Sequence, residues 1–215
     1  MLKLFIKYVL YLIMVFGVSS VKAGVYEDFF KAVNFNDALV VQGLLARGFD
    51  PNSRDEKGQS PLYLAMRQGS FKVAEVLLKH PELRQDLLNA AGESAMMMAA
   101  LKGHLDWVKH LLDRGARIEG LEPRAWTALH YAATGPEPQT VQVLLARGAM
   151  VDARSPNGTT PLMMAARYGT DPSVDLLLQK GADAKLKNDA ALTAADFASV
   201  AGRVPLARRL AQAAQ

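Results

Sequence analysis

Apolar residues recur along this chain at a fixed interval. Leu-Leu pairs begin at Leu44, Leu77, Leu111, Leu144 and Leu177, at spacings of 33, 34, 33 and 33. A hydroxyl residue follows the same interval at Ser60, Ser94, Thr127, Thr160 and Thr193, spaced 34, 33, 33 and 33. Two independent series with one period define a repeat. Within each period the apolar positions fall into two helical stretches. The first is short and Ala-rich, with Ala65, Ala99, Ala100, Ala132, Ala133, Ala165 and Ala166. The second carries a Val and Leu face, as in Val73, Val76, Leu77 and Leu78. The pattern predicts an all-α chain of helix-turn-helix units joined by short finger loops. One such pair cannot bury its apolar face alone, so the units must stack into a solenoid.

Start and stop signals punctuate each unit. Ser60, Thr127 and Thr160 stand where a hydroxyl can accept from an orphan helical N–H. Pro61 and Pro161 follow at the first helical position, where a missing N–H costs nothing. Gly69, Gly103 and Gly169 turn the chain into the second helix, and Asp171-Pro172 is expected to restart it with the same cap-then-proline chemistry. In "VLLARGAM", Leu144 and Leu145 are expected to form the last buried turn. Arg147 lies at the negative end of the helix dipole, and Gly148 is placed to close the helix in the left-handed region.

Six units account for residues 25–53, 54–86, 87–120, 121–153, 154–186 and 187–215. The first lacks the Ser-Pro-Leu start and the last lacks the Leu-Leu ending, as terminal units do when one face must meet water. Unit two has "KHPELRQD" where a glycine would close the helix, so Pro81 is expected to divert that finger. Unit four carries "TGPEPQT", an extra bend between helices.

The stretches "GQSPLYLAMRQGSFKVAEVLLKH", "GESAMMMAALKGHLDWVKHLLDRGA", "AWTALHYAATGPEPQTVQVLLARGA" and "GTTPLMMAARYGTDPSVDLLLQKGA" resemble the ankyrin pattern G-x-T-P-L-H-x-A-A-x-x-G, helix, L-L-x-x-G-A. The resemblance runs from about Val25 to Leu210 and is specific because it recurs in register. It implies a non-enzymatic scaffold that binds another protein through finger tips and the exposed ends of the first helices, along a concave side. Carried onto this chain, the finger positions are Glu56, Lys57, Gln59, Glu93, Pro123, Arg124, Trp126, Asn157 and Thr159. The first-helix positions are Arg67, Gln68, Leu101, Lys102, Arg167 and Tyr168. Trp126, Tyr168 and the arginines are the types that dominate binding energy. Trp126, read as exposed at a finger tip, ranks first among them.

The N-terminus changes the charge argument. "MLKLFIK" is basic, Tyr8–Ser20 is apolar and then small, and "VKA" ends at Ala23. This reads as a secretory signal peptide over residues 1–23, with an uncleaved anchor as the alternative. The apolar run is shorter than the roughly 20 residues a membrane span needs. The whole chain carries +4, and Lys3, Lys7 and Lys22 lie in the leader without an acid, so the remainder carries 4 − 3 = +1. A nucleic-acid partner therefore loses its electrostatic support. No cysteine is present, which excludes a disulfide framework, Cys-based zinc sites and a Cys nucleophile. The expected setting is the bacterial periplasm, with no membrane contact after leader removal and a monomeric state.

Catalytic constellations are missing from the sequence: no G-x-S-x-G, phosphate loop or H-E-x-x-H occurs. Neither a cofactor nor a metal is expected. His130 occupies the T-P-L-H position and His104 the G-H position, which in the family bond loops and neighbouring repeats. His80 and His110 fall at the ends of second helices, where a solvated cation is favoured. A His104–His110 metal or haem site fails on spacing, since the two do not share a helical face. Met96–Met98, Met163 and Met164 match core positions and read as packing residues, as does Trp107. The resemblance suggests a toxin-neutralising or catalase-supporting accessory protein. A small-ligand or haem carrier and a secreted host-directed effector are the alternatives.

Overall fold

The computed structural model describes residues 24–120 and 124–215. Residues 1–23, the expected leader, and finger residue Pro123 lie outside those limits. Twelve helices and no strand occur among the described residues. They form six consecutive pairs: α1 (24–34) with α2 (Ala38–Ala46), α3 (Pro61–Gln68) with α4 (Phe71–Leu78), α5 (Ala95–Lys102) with α6 (Leu105–Asp113), α7 (Ala128–Thr134) with α8 (Pro138–Ala146), α9 (Pro161–Tyr168) with α10 (Asp171–Gln179), and α11 (Ala194–Val200) with α12 (Val204–Ala213). The first helices α3, α5, α7, α9 and α11 pack side by side in one row. Second helices form a parallel row behind, with α6 against α8 and α8 against α10.

Alanine explains the close first row. Ala65, Ala99, Ala100, Ala132, Ala133, Ala165 and Ala166 are all buried. Leucines fill the space between rows: Leu62, Leu77, Leu111, Leu129, Leu144, Leu162 and Leu177 are each at most 1% exposed. Every such burial stabilises by roughly 1.5–3 kcal/mol. The core is one continuous cluster from Phe29 to Leu210. Leu145, expected to share the last buried turn with Leu144, is only half-buried and packs against the edge of the core cluster. The methionines are core: Met96, Met97, Met98 and Met163 are buried, and Met164 packs against the cluster. Trp107 stacks on Phe71 with ring centres 5.3 Å apart.

The caps follow the sequence closely. Ser60 Oγ accepts from Tyr63 N–H, Ser94 Oγ from Met97 N–H and Thr160 Oγ1 from Met163 N–H. One start differs. Thr170, not Asp171, caps α10, because its hydroxyl accepts from Ser173 N–H and leaves Asp171-Pro172 inside the first turn. Gly48, Gly115, Gly148 and Gly181 close second helices with φ between 80° and 90°. Unit two has no such residue: α4 ends on a right-handed Lys79 just before His80-Pro81. Two interhelical glycines answer a different need. Gly135 and Gly169 are extended, and an added Cβ would run into the Leu101 and Ala133 carbonyl oxygens of the preceding first helix.

The fingers share a turn that the repeat comparison had not singled out. In residues 55–59, 89–93, 155–159 and 188–192 the first N–H donates to the last carbonyl, at 2.9–3.0 Å. The first side chain then holds the loop: Asp55, Asn89 and Asn188 Oδ1 and Ser155 Oγ each accept from the closing backbone N–H. The fourth residue is left-handed, as Gly58, Gly92, Gly158 and Ala191. The readable signal was an Asx or Ser three residues before the glycine.

Candidate protein-binding face

Two structural histidines lock neighbouring units and define the rigid side of this face. His130 is wholly buried. Its Nδ1 accepts from Thr127 N–H at 3.1 Å, so the ring proton sits on Nε2 and is donated to the Thr159 carbonyl at 3.0 Å. Burial pushes its pKa down to about 4, against the pull of carbonyl hydrogen bonds, so the ring is neutral. His104 Nε2 meets the Met66 carbonyl at 3.1 Å, and burial lowers its pKa as well. Arg203 occupies the equivalent place before α12 and donates to the Ala165, Ala166 and Gly169 carbonyls. His104 and Arg203 satisfy carbonyls that a helix end leaves orphaned, whereas His130 ties a finger carbonyl that also accepts from Ser155 N–H. These contacts agree with the family role of the T-P-L-H and G-H positions.

The expected binding residues divide by exposure. Glu56, Lys57, Gln68, Lys102, Arg124, Asn157, Arg167 and Tyr168 are exposed. Tyr168 is 55% exposed and lies under the Arg167 guanidinium at 5.0 Å. Gln59, Arg67, Glu93, Leu101 and Trp126 are half-buried. Arg67 donates to Gln59 Oε1 at 3.0 Å. Thr159 must be removed from the face: it is 2% exposed, with its carbonyl taken by His130 and its N–H by Ser155. Its position one residue before a helix cap is packed here because His130 draws that segment inward. Trp126 does not stand free at a tip either. Its ring meets His130 edge-on at 5.2 Å and Tyr131 at 6.4 Å, so one face of the indole is used internally. The rest borders a cleft of about 300 Å³ shared with Met97, Arg117, Arg124 and Pro156.

Glu93 is built into the face. Its carboxylate accepts from Tyr63 Oη at 2.7 Å, Asn89 Nδ2 at 2.8 Å and Tyr131 Oη at 3.0 Å. Burial works to raise its pKa, but the hydrogen bonds from Asn89, Tyr63 and Tyr131 outweigh this and leave the carboxyl below its ordinary value. Burial first, and then the Glu93 charge, raises both tyrosines well above theirs. Arg124 reaches across one whole finger to Asp189, with Nη2 2.8 Å from Oδ1. Gly158 lies beneath that strap, where a Cβ would stand 2.8 Å from Asp189 Oδ1.

Sequence reasoning missed Phe35 and Val200. In register they share the first-helix-end positions with Gln68 and Arg67, and they are 77% and 67% exposed. The missing signal was register in the degenerate terminal units. Among the described residues no group of three or more His, Cys, Asp or Glu could hold a metal ion, and no helix is long and apolar enough to cross a membrane.

Rows of paired helices, fingers tied by repeated turns and a lateral face with a fixed carboxylate define a repeat solenoid of the ankyrin architecture. A sequence model of ankyrin repeats (three copies) matches residues 29–122 and 118–188, and the chain belongs to that family. It is 34% identical over 97 residues to NF-kappa-B inhibitor alpha of Rattus norvegicus, covering 43% of this chain and 31% of that protein. It is 36% identical over 104 residues to the nuclear factor NF-kappa-B p105 subunit of Gallus gallus, covering 47% of this chain and 11% of that one. The chain thus spans a third or less of these relatives. One chain of the complex of the Bd0816 predatory endopeptidase from Bdellovibrio bacteriovorus with immunity protein Bd3460 is similar in structure, with TM-score 0.72, 29% identity, and coverage of 86% of this chain and 97% of that one.

Proposed function

We propose that this protein is a non-enzymatic binder that holds and restrains a partner protein in the bacterial periplasm, in the manner of an immunity protein. The observation that carries the reading is the likeness to a chain of an endopeptidase–immunity protein complex over 86% of this chain and nearly all of the other. The exposed arginines and Tyr168 on one side of a rigid repeat array support it, since such residues anchor interfaces. Toxin neutralisation ranks above catalase support, because a chain of an endopeptidase–immunity protein complex is among the similar structures. An N-terminus with the features of an export leader supports the periplasmic setting.

The test is capture from a periplasmic extract with purified residues 24–215, beside the Trp126→Ala, Arg167→Ala double variant. Recovery of one stoichiometric enzyme, reduced by the double variant and inhibited by the wild-type chain, is the expected result. Recovery without any effect on the enzyme's activity defeats the restraining role. Turnover of hydrolase substrates by the pure chain defeats the non-enzymatic reading.

A further inference from the structure

The chain sorts its cations. Five ion pairs occur among the described residues: Lys109–Asp106, Arg124–Asp189, Arg147–Asp113, Arg203–Asp171 and Arg209–Asp175. All involve fingers or second helices. None involves Arg67, Lys102 or Arg167, which end α3, α5 and α9 along the first-helix row. Arg67 instead meets a neutral amide on Gln59, and Arg167 covers aromatic rings at Tyr168 and Phe197. At the finger end of the same first helices, between units two and four, stands one fixed anion, Glu93, held by three donors that belong to the protein itself. Apolar surface flanks the charges, with Phe35 at one end, Leu101 in the middle and Tyr168 beside Arg167.

We infer that the first-helix face accepts a carboxylate-rich surface of a folded protein. Its acidic side chains pair with Arg67, Lys102 and Arg167, a basic side chain is received at Glu93, and apolar contacts lie at Phe35 and Tyr168. Charge complementarity carries the choice. Unpaired cations on one face steer an acidic partner and fix its register. A nucleic acid fits the same face poorly, because an unbroken line of phosphates would bring negative charge onto Glu93, and outside the leader the chain carries only +1. This inference rests on the protein-binding reading above and adds the partner's chemistry and the face it uses.

The experiment uses residues 24–215 and three probes: fluorescein-labelled polyglutamate, labelled polylysine and labelled oligothymidylate. Two charge-reversal variants are compared by fluorescence anisotropy at low salt. One is Arg67→Glu, Lys102→Glu, Arg167→Glu on the first-helix face. The other is Lys72→Glu, Lys109→Glu, Lys180→Glu on the second-helix row, where all three lysines are exposed. Polyglutamate is expected to bind the wild type, to lose about tenfold in affinity with the first variant and less than about twofold with the second. Absence of wild-type binding, or equal losses in both variants, overturns the inference. Tighter binding of oligothymidylate than of polyglutamate overturns it in favour of a nucleic acid. Circular dichroism checks folding, and Lys102→Glu alone, at an exposed helix end, serves if the triple variant does not fold. The two readings fail separately. A partner captured equally by wild type and first-face variant sinks the face assignment and leaves protein binding intact. Polyglutamate binding without any captured partner does the reverse.

Discussion

Units four and six place different residues three positions after the same helix cap. In unit four it is His130, which caps its own helix through Nδ1 and grips the next finger through Nε2. In unit six it is Asp196, whose Oδ2 accepts from Thr193 N–H and Oγ1, both at 2.7 Å, and reaches no other unit. Burial lowers the basicity of His130, whereas hydrogen bonds from Thr193 lower the Asp196 pKa in a nearly exposed setting. Unit four uses this position for two tasks; unit six uses it for one. The capping task alone is also seen at Met97 and Met163, whose thioethers sit 3.5 and 3.4 Å from the cap N–H. The repeat therefore fixes the helix start everywhere but assigns the coupling of units to particular places.

That contrast can be broken first at His130. His130→Ala leaves the Thr127 N–H buried without its partner, strips the Thr159 carbonyl of its second donor and opens a cavity, and is expected to cost roughly 3 kcal/mol in urea unfolding. Asp196→Ala, which removes only a surface cap contact, should cost about 0.5–1 kcal/mol. Equal losses would show that the grip on the next finger adds nothing. The same histidine sets a pH signature. Its folded pKa of about 4 lies below its unfolded value of 6.5, so the unfolded chain binds the extra proton between those values. Stability is full above pH 6.5 and falls on acidification to pH 4 by about 3 kcal/mol. His104 adds in the same direction. Thermal unfolding across that window should flatten markedly in His130→Ala, and an unchanged slope would locate the titration elsewhere.

Smaller effects sharpen the comparison. Thr140 in unit four is fully buried, and its Oγ1 has no partner among the described residues. Thr140→Val should stabilise by about 1 kcal/mol and raise Tm. A loss instead would mean the hydroxyl is satisfied. In unit six, Ala191 holds the left-handed finger position at φ 61°, where the other described fingers use glycine. Ala191→Gly should gain about 0.5 kcal/mol, and Gly58→Ala should lose about the same or more. Matching signs for the two would contradict a shared turn.

The sequence disclosed the period, the helix pairs, most caps and the closing glycines because these are local and recur in register. It disclosed the surface residues less well. Thr159 and Trp126 occupy family contact positions, yet both pack on His130; the motif announced that this histidine bonds loops, but not that it would bury Thr159 and cover one side of the indole. Glu93 was legible as a finger residue, but its three internal donors come from two units and a finger, which only the packed array brings together. Phe35 and Val200 were hidden because terminal units keep the geometry and discard the motif. The Asx-led finger turn is written in the sequence as an Asx or Ser three residues before the left-handed position.

Gly135 and Gly169 set how tightly adjacent first helices can sit. At both, the missing side chain lets backbone press on the carbonyls of the unit before, Leu101 and Ala133. A methyl group at either site would act as a wedge at a hinge. Because each unit is aligned only on its neighbour, the tilt would be inherited by every unit downstream and would swing the far end of the array. The distance between Phe35 and Tyr168, and hence the footprint available to a rigid guest, is calibrated by two missing methyl groups.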